Sequence, residues 1–84
     1  MKFKLYDETQ KDVGDFELSQ TEIEDDFVYL IEKAISKLTG VPWTHVFLAG
    51  MDENLTGLDM YSKQNTFDII INNKIHYTAI KLNA

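Results

Sequence analysis

The stretch from Ser19 to Gly40 constrains this chain more than any other, because it reads as one amphipathic helix whose apolar stripe has to be covered. Ile23, Phe27, Leu30, Ile31, Ala34, Ile35 and Leu38 recur at three- and four-residue spacing, while Asp25, Glu32 and Ser36 fall opposite. Ser19 with Glu22, and Thr21 with Glu24, form overlapping capping-box patterns, in which a hydroxyl takes an orphan N–H and a carboxylate reaches back. Either can start the helix. Glu22, Glu24, Asp25 and Asp26 sit near the positive end of the helix dipole, and Lys33 and Lys37 near the negative end. Gly40 offers the left-handed position past the last turn, and Pro42 forbids continuation.

A chain of 84 residues makes one domain, residues 1–84, and buries only about 60–65% of its unfolded surface. A lone helix must then share its core with a sheet, and the expected class is α+β. The apolar content of 44%, with 12% aromatic, suffices for such a core and argues against disorder. There is no cysteine, which removes disulfides, thiolate chemistry and zinc-finger patterns. Met1-Lys2-Phe3-Lys4 leads into alternation rather than an apolar block, and no run approaches 18 apolar residues, so a cytoplasmic protein without membrane contact is expected.

The remaining segments read as strands. Lys2 to Tyr6 alternates, with Phe3 and Leu5 on one face. Asp7 to Lys11 is turn-like, and Val13, Phe16 and Leu18 follow, with Gly14 breaking the alternation as a bulge would. Val46-Phe47-Leu48 is a short third strand ended by Gly50, and Met51 to Lys63 is a polar connection pinned by Leu55, Leu58 and Tyr61. Thr66 to Leu82 is a hairpin around Asn72-Asn73. A two-residue turn sets Phe67, Ile69 and Ile71 on one face with His76, Thr78 and Ile80; a three-residue turn aligns them with Ile75, Tyr77 and Ala79. Either way Ile70 lies on the other face. The order is β-β-α-β-loop-β-β.

Gly40-Val41-Pro42, Phe47-Leu48-Ala49-Gly50, Leu58-Asp59-Met60-Tyr61 and Thr66-Phe67-Asp68-Ile69-Ile70-Ile71, following a hairpin and a helix, together resemble the ubiquitin-like β-grasp family in order and spacing. The resemblance covers residues 1–71 and implies a β-grasp-like ββαβ(loop)ββ domain, with one amphipathic helix packed on a mixed sheet. It also implies an apolar recognition patch at Phe47 and Ile70, on the sheet face away from the helix. The ending Leu82-Asn83-Ala84 lacks the Gly-Gly tail of conjugating members, so ligation is not implied. The run from Ile75 to Leu82 goes beyond the family's last strand and would extend the sheet or cover one edge.

Charge and site chemistry narrow the function classes. Residues 1–32 hold ten acids against three lysines, and residues 33–84 four acids against five lysines, which places a net −7 in the first part and +1 in the second. Arginine is absent, which removes the side chain best suited to phosphate and guanine, so direct nucleic-acid binding is not expected. His45 and His76 lack a carboxylate at ligand or triad spacing, and each reads as a surface or strand histidine. Asp52-Glu53-Asn54-Leu55-Thr56-Gly57 imitates the start of a calcium loop, but Lys63 occupies its twelfth position, so a surface turn is expected. Glu22, Glu24, Asp25 and Asp26 are explained by helix-start chemistry rather than acid–base catalysis. Trp43 is either a lid over the helix end of the core or, if exposed, an anchor for a partner.

No catalytic, metal or cofactor signature remains, and a non-enzymatic protein-binding module is the leading expectation. Its contact residues would be Phe47, Ile70, Trp43 and either Tyr77 or His76, with self-association into a homodimer through the sheet face or an edge strand as one version. The alternative is an acidic inhibitor that presents the acidic surface of residues 7–32, with Glu22, Asp25 and Asp26 among its contacts, to a basic nucleic-acid-binding protein, as small phage-type inhibitors do.

Overall fold

The computed structural model describes residues 1–51 and 54–82. Strands β1 (Lys2–Asp7) and β2 (Asp12–Glu17) form a hairpin that feeds helix α1 (Gln20–Thr39). A single 3₁₀ turn at Trp43–His45 precedes the short strand β3 (Phe47–Leu48). Helix α2 (Gly57–Lys63) follows, and then the hairpin of β4 (Thr66–Ile71) and β5 (Lys74–Leu82). The α+β class and the ββαβ…ββ order match the expectation. Ser19 caps α1 with the reciprocal box to Glu22, and Gly40 closes it at φ 79°, donating its N–H to the Ser36 carbonyl. The competing Thr21–Glu24 start is not used, and Glu24 instead accepts from the Gln20 side-chain amide.

The five strands form one sheet in the order β2-β1-β5-β4-β3, and all four pairings are antiparallel. This corrects two expectations. The sheet shows no parallel pairing among its strands, and β5 neither extends it nor covers an edge but lies at its centre. The cause is local. A two-residue turn at Asn72 and Asn73, both at positive φ, forces β5 back along β4, and its free side then takes β1.

The register of that hairpin combines the two alternatives. The turn has two residues, so Ile71 opposes Lys74 and Ile70 opposes Ile75. One step later the register shifts and Ile69 opposes Tyr77, which leaves Ile75 and His76 sharing the position opposite Ile70. Beyond this bulge the pairing is that of the three-residue alternative, with Phe67 opposite Ala79. The bulge therefore returns Tyr77 to the core side of the sheet. A second bulge, between Leu5 and Tyr6 in the first hairpin, leaves Val13 as the extra residue ahead of Gly14.

Phe3, Leu5, Leu48, Phe67, Ile69, Ile71 and Ala79 line the buried sheet face, and Ile23, Phe27, Ile31 and Ile35 of α1 cover it. Their centre is aromatic: Phe3 stacks on Phe16 at 4.9 Å between centroids, and Phe27 meets Phe67 edge-on at 5.4 Å. The connection expected as a polar loop contains α2, which Thr56 and Asp59 start with a second capping box. Met60 of α2 is buried, and Leu55, Leu58 and Tyr61 pack on the core as anticipated. The calcium-loop imitation at Asp52 and Glu53, and the chain end at Asn83 and Ala84, lie outside the described residues.

Candidate functional site

Both helices lie on one face of the sheet, so the other face is left uncovered by either of them. Across it runs a row of apolar side chains. Phe47 of β3 opposes Ile70 of β4, and Ile70 opposes Ile75 of β5. Phe47 is 56% and Ile75 53% exposed, while Ile70, between them, is half-buried. These positions follow from the pleat. Leu48 and Ile69 point into the core, so their neighbours Phe47 and Ile70 must point out. His76 shares the bulge with Ile75, and its Nδ1 lies 3.8 Å from a Glu8 carboxylate oxygen, an ion pair when the ring is protonated. A shallow depression of about 300 Å³ between Phe47, His45 and the Asn72-Asn73 turn adjoins the row.

Tyr77 does not belong to this surface. It opposes the buried Ile69 and packs on the core from the helix side, because the bulge shifts the strand by one residue at His76. Sequence reasoning missed Ile75 for the same reason: a bulge changes the face of every residue beyond it, and no glycine marks this one.

A second exposed cluster lies on the helical side. Trp43 is 36% and Tyr29 45% exposed; their rings meet edge-on at 5.2 Å, so Trp43 is a partly exposed group beside α1 rather than a closed lid. The Lys33 ammonium rests 4.9 Å from the Trp43 ring centroid and 5.6 Å from that of Tyr29. Tyr29 also lines a groove of about 300 Å³ between α1 and α2, together with Asp25, Asp26, Gly57 and Met60. Asp26 has non-helical backbone angles, φ −141° and ψ 36°, which kink α1 at this groove.

The acids of the α1 start divide into two kinds. Glu22 accepts the Ser19 N–H and is committed to the cap, and that hydrogen bond holds its carboxyl below the usual range. Asp25 and Asp26 are exposed and make no hydrogen bond or ion pair among the described residues. Glu32 has a different task. Its carboxylate accepts the Leu48 N–H at 2.9 Å, and partial burial raises its pKa against that bond.

That Glu32 contact bears on edge pairing. Phe47 and Ala49 bond β4, so the Leu48 N–H points outward from the sheet, where Glu32 occupies it. The edge at β3 is thus two residues long and capped. At the other edge Met1 and Leu18 exchange both main-chain bonds, so the antiparallel alternation turns the main-chain groups of Asp15 and Glu17 outward. Pairing two copies there would set carboxylates against each other, a usual defence of open edges.

Among the described residues no group of three or more His, Asp or Glu side chains is placed to hold a metal ion. No described helix is long and apolar enough to cross a membrane. Comparison with protein-family models, with curated proteins and with solved structures finds no match to this chain.

Proposed function

We propose that this protein is a small, acidic, non-enzymatic binding module that engages another protein through the helix-free sheet face. The observation that carries the proposal is the row Phe47–Ile70–Ile75, two of whose members are more than half exposed. An aromatic ring and two isoleucines in adjacent strands form the centre of an apolar contact that gains by excluding water, and single aromatic anchors commonly dominate such contacts. The motif-order resemblance to ubiquitin-like β-grasp proteins supports the same face, since it carries their recognition patch onto Phe47 and Ile70. Self-association, if this face serves it, would be face to face rather than edge to edge.

The test is a pull-down from the native host at moderate salt with the wild type and with Phe47→Asp and Ile75→Asp, together with sedimentation of the purified protein. A partner or dimer that is lost in both variants, with melting temperatures unchanged, is the expected result. A complex that both variants retain would refute the assignment of this face.

A second reading, an acidic inhibitor of a basic protein, is favoured by one observation. Asp25 and Asp26 present unpaired carboxylates in the groove that the exposed ring of Tyr29 also lines. Such a complex would weaken steeply as salt rises.

A further inference from the structure

We propose that the groove between α1 and α2, with the Tyr29–Trp43 ring pair at its end, is a binding surface for an arginine side chain presented by a basic partner protein. This rests on the second reading for the sign of the charge, and on the aromatic pair for the identity of the side chain. Three features of the surface converge. Asp25 and Asp26 line the groove as exposed carboxylates without a described cation. Tyr29 lines the same groove and presents nearly half of its surface, and Trp43 abuts it. The chain's own Lys33 already lies over both rings, which shows that these ring faces hold a cation in the geometry the fold gives them.

Arginine fits these features better than lysine. Its planar guanidinium stacks on an aromatic face while its N–H fork donates to a carboxylate, whereas an ammonium acts as a compact point charge. This chain contains no arginine, so none of its own side chains supplies that combination. Lys33 then acts as an internal competitor that an incoming guanidinium must displace.

Trp43 is the single tryptophan, and its fluorescence reports the site directly. The experiment titrates the full chain with an octa-arginine peptide and, separately, an octa-lysine peptide at one ionic strength. Circular dichroism of every variant confirms its fold. Octa-arginine is expected to shift the Trp43 emission and to bind several-fold tighter than octa-lysine, because only a guanidinium stacks on a ring while its N–H fork donates to a carboxylate. Tyr29→Ala and the double variant Asp25→Asn/Asp26→Asn should each remove that preference.

Lys33→Ala should tighten octa-arginine binding several-fold, whereas Lys37→Ala, which changes the net charge equally at an exposed position without a cation–π contact to either ring, should not. Equal binding of the two peptides, with Lys33→Ala and Lys37→Ala alike and Tyr29→Ala silent, would overturn the inference while leaving a generally acidic surface intact. Failure of both peptides to bind at low salt would overturn the inference and the second reading together.

Discussion

Gly57→Ala separates two opposed expectations of equal simplicity. Gly57 opens α2, where its φ is not positive, so helix propensity alone says that alanine stabilises by about 0.4–1 kcal/mol. The packing says the reverse. A Cβ built on Gly57 overlaps the Ile23 carbonyl oxygen and lies 2.6 Å from the Phe27 Cβ, against an ordinary carbon–carbon contact of about 3.5–4.0 Å. Both neighbours are on α1, one is main chain, and neither can rotate away.

Relief therefore requires α2 to withdraw from α1 by about 1 Å, a gap that forfeits a quarter to a half of each dispersion contact it opens. Phe27 and Met60, both nearly fully buried, lie in that layer. Overpacking of this kind costs about 1–3 kcal/mol, and more where main chain is struck, so a net loss of about 2 kcal/mol remains after the propensity gain. In a domain of this size that lowers Tm by about 8–16 °C. Thermal unfolding followed by far-UV circular dichroism measures it, and a Tm equal to or above that of the wild type would refute the close approach of the two helices.

Glu32 should distinguish charge from hydrogen bonding. Glu32→Gln keeps an acceptor for the Leu48 N–H and is expected to be neutral or slightly stabilising at pH 7, whereas Glu32→Ala leaves that N–H unpaired at a cost of about 1 kcal/mol in urea unfolding. Because burial raises the Glu32 pKa, its contribution to stability is greatest below the ordinary glutamate range and is lost as pH rises through the raised value; Glu32→Gln should abolish that trend. Glu22 has the opposite sign. Its capping bonds depress the pKa, so they stabilise above the ordinary range and fail as pH falls through the lowered value, and Ser19→Ala should cost about 1 kcal/mol at pH 7 and reduce this acid sensitivity. Deleting His76 should be tolerated, since it removes the bulge and keeps Tyr77 on the core face. Deleting Thr78 also removes the bulge but sets His76 opposite Ile69 in the core, and its melt should fall well below that of the His76 deletion.

The helix, its caps and the alternating strands were determined by the sequence, because periods of 3.6 and 2 and a capping box are local relations among near neighbours. Ser19, Gly40 and the buried positions Ile23, Phe27, Ile31 and Ile35 stand where those relations put them. The outward direction of Phe47 and Ile70 was equally legible, as a consequence of alternation across a two-layer core. Helix α2 was within reach too, since Thr56 and Asp59 spell a second capping box.

Contacts between distant segments set the rest. The central place of β5 follows from which free edge β1 finds, and no local pattern encodes that choice. The bulge at Ile75 and His76 follows from the need to keep both the two-residue turn and the buried pair Phe67–Ala79, and it decides that Ile75 rather than Tyr77 joins the exposed row. The meeting of Trp43 with Tyr29 and Lys33 likewise needs the chain to return past Pro42 onto the side of α1. Local chemistry sets the elements, whereas burial of one shared core sets their register and so the surfaces left for a partner.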